Sequence, residues 1–185
     1  MIKRMVLLSM DSNKEGKERK MYQTILAPLD GSKLAECTLE HIKELATGCR
    51  VARVVLLAVV ESVQPPSWWP DEQDLSSGLS AALTKREAQI QDRAEVYLAG
   101  IARELKQAGI EVQIVVAKQI ENQPVASIIL EYSQTNKVDL IIMSTHGRSG
   151  ISRWSFGSVA DRVLRHSSIP VLTVAPKGCH LPLSS

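Results

Sequence analysis

From Thr24 onward the chain alternates between short apolar runs and longer segments with apolar residues three and four positions apart. Residues 24–30, TILAPLD, predict a first strand that ends at Pro28 and Asp30, with Gly31 and Ser32 turning the chain into a helix. Along that helix Leu34, Ala35, Leu39, Ile42, Leu45 and Ala46 share one face, and Gly48 stops it. Residues 51–61, VARVVLLAVVE, form a second run too apolar on both faces for a sheet with one side in water. Further strands are predicted at 111–118, 138–144 and 171–175. Between them, Ile90, Ala94, Tyr97, Ile101, Leu105 and Ala108 trace a helical face that ends at Gly109. Val125, Ile128, Ile129 and Tyr132 trace another, which starts at Pro124. Capping-box spacing marks two helix starts, Thr84 with Glu87 and Ser158 with Asp161.

Five strands alternating with four helices predict an α/β fold, a doubly wound parallel sheet with helices on both faces. Residues 62–80 interrupt the alternation. Pro65, Pro66 and Pro70, with Trp68 and Trp69 among them, predict a long surface loop or lid over the strand ends. Before residue 21 the chain is short of apolar pattern: residues 1–20 read as a loosely attached polar extension, 21–176 as one domain and 177–185 as a tail. The apolar stretch at the N-terminus is about half the length a secretory signal needs, and no run reaches the roughly 18 residues of a membrane span.

Composition narrows the function classes. A length of 185 residues suits a single domain with a real core, and 44% apolar content suits a globular one. The formal net charge of +2 comes from intermixed acids and bases without a basic stripe, so no nucleic-acid partner is expected. Cys37, Cys49 and Cys179 are odd in number, far apart and without a Cys-x-x-Cys pairing, which argues against a disulfide framework or a structural zinc site and points to the reducing cytoplasm.

Candidate chemistry is concentrated in residues 138–175. The strand over Leu140–Met143 runs into a loop rich in Ser and Gly, and Gly157 and Ser158 close that loop at a helix start. Amides of such a loop and of a first helical turn can converge on an anion. In a doubly wound sheet, ligands bind beyond the carboxyl ends of the strands where the winding reverses. If the reversal lies between strands one and four, Asp30 faces the loop that starts at Ser144, an arrangement that suits a nucleotide.

The segment MSTHGRSGISRWSFGSVADRVLRHSSIPVLTV, the start TILAPLDGS and the element order between them resemble the universal stress protein family over about residues 22–176. ATP-binding members of that family carry Gly-x-x-Gly, nine residues, then Gly-Ser or Gly-Thr. Here Gly147, nine residues, Gly157 and Ser158 match, while Ser144 stands at the first glycine. The resemblance implies strand order 3-2-1-4-5 and a homodimer along strand 171–175. It places Pro28, Asp30 and Val59 around adenine and ribose, and Met143, Ser144, His146, Gly147, Arg148, Gly157, Ser158 and Val159 along ribose and phosphates. Micromolar binding needs about 8 kcal/mol, whereas a helix terminus supplies only about 0.3–1 kcal/mol at an exposed site. An apolar slot for the base, from Ala27, Pro28, Val59 and Met143, has to supply a comparable share.

The expected ligand is therefore ATP or another adenine nucleotide, with or without Mg²⁺, bound by a dimeric stress-response sensor that acts on an unknown protein partner. Two further readings stand beside it: an interaction module with an empty pocket, and a slow ATPase. The chain lacks a P-loop Gly-Lys-Ser/Thr, a Gly-x-Ser-x-Gly elbow and a His-Glu-x-x-His pair. No catalytic residue is assigned. Trp154 and Phe156 are expected to pack the loop against the body or the dimer partner. His41, His166 and His180 are isolated and carry no assigned chemistry.

Overall fold

The computed structural model describes residues 22–63, 77–120, 123–147 and 157–176. Five strands, β1 (Thr24–Pro28), β2 (Arg53–Glu61), β3 (Val112–Gln119), β4 (Leu140–Ser144) and β5 (Val171–Val174), form one parallel sheet in the order β3-β2-β1-β4-β5. The helices are α1 (Leu39–Gly48), preceded by a 3-10 turn at Ala35–Thr38, α2 (Ser77–Gln107), α3 (Val125–Thr135) and α4 (Ser158–His166).

Strand alternation divides the core into two. From the three central strands, Ile25 and Ala27, Val54, Leu56 and Ala58, and Leu140 and Ile142 enter one cluster, which Ile42 and Ala46 of α1 and Leu98, Ala102 and Leu105 of α2 complete. Leu26, Val55, Leu57, Ile141 and Met143 point the other way, onto Ala126 and Ile129 of α3 and Ala160 and Val163 of α4. Residues buried on both faces explain why these strands are continuous apolar runs.

The strands lie where the sequence predicts them, to within two residues. Two helix starts differ. α2 begins at Ser77, so Thr84 is inside the helix, where its hydroxyl donates to the Ser80 carbonyl at 3.0 Å instead of capping an N-terminus. α4 has Gly157 at its N-cap with no side-chain cap, and Asp161 turns to Arg165. In both cases the three-residue spacing that marks a capping box is also ordinary helical spacing. Residues 77–80 thus belong to α2 rather than to a loop. Residues 64–76, with Trp68 and Trp69, lie outside the described residues, as do Trp154 and Phe156.

β1 and β4 pair over only two positions, Ile25 with Leu140 and Leu26 with Ile141. Beyond them Leu29 N–H turns toward β2 and donates to the Leu57 carbonyl at 2.8 Å, while Thr145 N–H turns toward β5 and donates to the Val174 carbonyl at 2.9 Å. The two chains part at their carboxyl ends, and a crevice opens at the point where the winding reverses.

Candidate functional site

The crevice holds a cavity of about 220 Å³ lined from β1, β2, β4, α3 and α4. One half is apolar: Pro28, Leu57, Val59, Val125, Ile129 and Met143 line it. This half is the upper end of the core cluster under α3 and α4. The other half is polar, with Asp30, Ser144, Thr145, His146, Gly147, Gly157 and Ser158.

Local bonding shapes the polar half. After β1, Asp30 Oδ1 accepts from Ser32 N–H at 3.0 Å and from Ser32 Oγ at 2.7 Å, which closes the turn through Gly31, whose φ is 83°. Asp30 Oδ2 lies where a Cβ on Gly147 would fall, so Gly147 allows the two strand-end loops to approach. Ser144 is 7% exposed, and its Oγ accepts from His146 N–H at 3.2 Å and lies 3.7 Å from Cys37 Sγ. Among the described residues the positive-φ positions other than glycine are Arg50 and Lys137, so Ser144 sits in a conformation that needs no glycine. His146 is buried, with Nδ1 2.9 Å from Thr145 Oγ1.

These bonds decide which amides are open to a guest. Thr145, His146 and Gly157 already donate to the protein, to the Val174 carbonyl, Ser144 Oγ and the Thr145 carbonyl. The Gly157 carbonyl takes the N–H of Asp161, the first bond of α4. Ser158, Val159 and Ala160 are left as first-turn donors without an acceptor among the described residues, and all three line the cavity. Asp161 in the same turn would oppose an anion, but Arg165 pairs with it at 2.9 Å. The hydrogen bond from Arg165 holds that carboxyl below the ordinary aspartate range.

Residues 21–175 match the family model of the universal stress protein family. The chain belongs to the universal stress protein family. Among relatives of this universal stress protein chain, MJ0531 of Methanocaldococcus jannaschii is 31% identical over 154 residues, covering 83% of this chain and 82% of that one. MJ0577 of the same organism is 28% identical over 167 residues, covering 85% and 97%. A solved structure of MJ0577 superposes with a TM-score of 0.68 over 85% of this chain and 99% of that one, at 27% identity. A universal stress protein solved in complex with cAMP shares the fold at 19% identity, with a TM-score of 0.56 over 84% and 98% of the two chains.

Of the residues that the sequence nominates, Pro28, Asp30, Val59, Met143, Ser144, His146, Gly147, Gly157, Ser158 and Val159 line the cavity. Ala27 does not: it is fully buried under α1 and α2, because alternation along β1 turns it to the opposite face from Leu26. Arg148 lies outside the described residues. Leu29, Ala35, Leu57, Val125, Ile129, Thr145 and Ala160 line the cavity without having been nominated. Leu57 shares the strand face of Val59, and Val125 and Ile129 are four apart on one helix face, so periodicity could have found them. No group of three or more His, Cys, Asp or Glu is placed to hold a metal among the described residues, and no helix there is long and apolar enough to cross a membrane.

Proposed function

We propose that this universal stress protein binds an adenine nucleotide, ATP foremost, in the crevice between β1 and β4. The observation that carries the reading is the union, in one cavity, of an apolar half and a helix start with three open N–H donors. Val59, Val125, Ile129 and Met143 would flank the base, and the Ser158, Val159 and Ala160 amides would take a phosphate. Pro28 and Asp30 would stand at the ribose, with Ser144, His146, Gly147 and Arg148 along the phosphate path. The glycine spacing of the family's ATP-binding members supports the same reading.

Mg²⁺ fits as a companion of the nucleotide rather than as a resident ion. It binds through phosphates with only one or two protein carboxylates, and Asp30 is the acidic residue on the cavity wall. The four residues of β5 are each partly exposed at the end of the sheet, and an edge strand of that kind suits pairing with a second copy. A homodimer through residues 171–175 that signals nucleotide occupancy to a protein partner, in the reducing cytoplasm, is the working form we propose.

Heat-denaturing the purified protein and assaying the supernatant by mass spectrometry is expected to release adenine nucleotide. Calorimetric titration of the emptied protein should give micromolar ATP affinity, with adenosine at least about tenfold weaker because it leaves the three amides open, a difference of about 1.4 kcal/mol. A second reading, an empty-pocket interaction module, draws on the inward bonds of Thr145, His146 and Gly157. Absence of both released nucleotide and binding heat would establish it instead.

A further inference from the structure

We infer that Glu87 is a positioning residue for the nucleotide site, through a clamp on the chain where it leaves β2. The inference rests on the nucleotide reading of the cavity. α2 spans about 46 Å for its 31 residues, against about 26 Å for the eight of β3, so its N-terminal turns overhang the carboxyl ends of the strands. Glu87 sits in that overhang. Its Oε1 accepts from Val63 N–H and Ser62 Oγ, each at 3.2 Å, and its Oε2 lies 3.5 Å from Lys118 Nζ on β3.

One carboxylate thus connects three elements. In the β2–β3 register, Val59 lies opposite Ala117 and Val60 opposite Lys118, so the clamp meets β3 one step beyond the level of the cavity residue Val59 and meets the chain leaving β2 three and four residues after it. An anchor on Ser62 and Val63 restrains the strand end that carries Val59 into the cavity. The plainer account is a surface ion pair. Lys118 and Glu87 have side chains 54% and 28% exposed, and pairs of that kind contribute little. The two hydrogen bonds onto Oε1 are different in kind: one ends on a backbone amide and both are charge-assisted, so they order backbone rather than two flexible side chains.

The two accounts separate in a set of three variants, each measured for ATP affinity by calorimetry and for amide exchange at Ser62 and Val63 by NMR. Glu87→Ala should exchange faster at Val63 and bind ATP about threefold to tenfold more weakly, a modest loss because Glu87 acts through the strand end and not on the ligand itself. Glu87→Gln keeps an acceptor oxygen and should return affinity to within about twofold of wild type, and Lys118→Ala should stay within about twofold as well. Wild-type affinity in Glu87→Ala, or an equal loss in Lys118→Ala, overturns the inference while the nucleotide reading stands. Failure of the wild-type protein to bind ATP removes both.

Discussion

Gly147→Val is expected to lose ATP binding by about 10- to 100-fold or more while the protein remains folded. Any Cβ at position 147 falls on Asp30 Oδ2, and the carboxylate cannot simply swing aside, since its other oxygen holds Ser32 N–H and Oγ. Either the turn after β1 opens or the two strand-end loops separate, and each outcome moves the polar wall of the cavity. Losing one hydrogen bond to a charged group is worth about 1.5–3 kcal/mol, which gives the expected range. The exclusion is one of space, since both loops are at the surface end of the sheet and the core beneath is untouched. Unchanged affinity, measured by titration calorimetry beside an intact unfolding transition, would show that neither Asp30 nor the close approach matters to the ligand.

Leu56→Ala is expected to cost about 2–5 kcal/mol of folding stability, with the unfolding midpoint falling by roughly 4–20 °C. Leu56 is fully buried at the middle of β2, between β1 and β3, under α1 and α2. The strands on either side hold it in register, so the cavity left by the truncation has little freedom to collapse. Urea unfolding of both proteins gives the difference. A loss under about 1 kcal/mol would mean that the cluster under α1 and α2 is loosely packed.

The sheet was legible because its three central strands are apolar on both faces, and few other structures demand runs such as VVLLA or LIIM. The strand order came from the family resemblance, since strand spacing alone does not say which neighbours pair. Helix starts were less legible. α2 starts seven residues before Thr84, so Thr84 and Glu87 passed for a cap when Glu87 in fact reaches across to Ser62, Val63 and Lys118. At the site, Gly147, Gly157 and Ser158, which the glycine spacing picked out, all line the cavity. What that spacing could not show was which amides the protein keeps for itself. The bonds of Thr145, His146 and Gly157 depend on where β5 and Ser144 Oγ lie in space, and they leave Ser158, Val159 and Ala160 as the open donors among the described residues that line the cavity. Ala27 lies off the cavity because it sits inside β1 on the face turned to α1 and α2, opposite to Leu26.

The account turns on the three open amides of α4. An amide-resolved NMR titration with ATP and, separately, with adenosine tests them directly. ATP should shift the N–H resonances of Ser158, Val159 and Ala160 strongly together with those of Leu57 and Val59, and adenosine should shift the β2 resonances while leaving the α4 amides nearly in place. ATP that binds yet leaves Ser158, Val159 and Ala160 unmoved would contradict it.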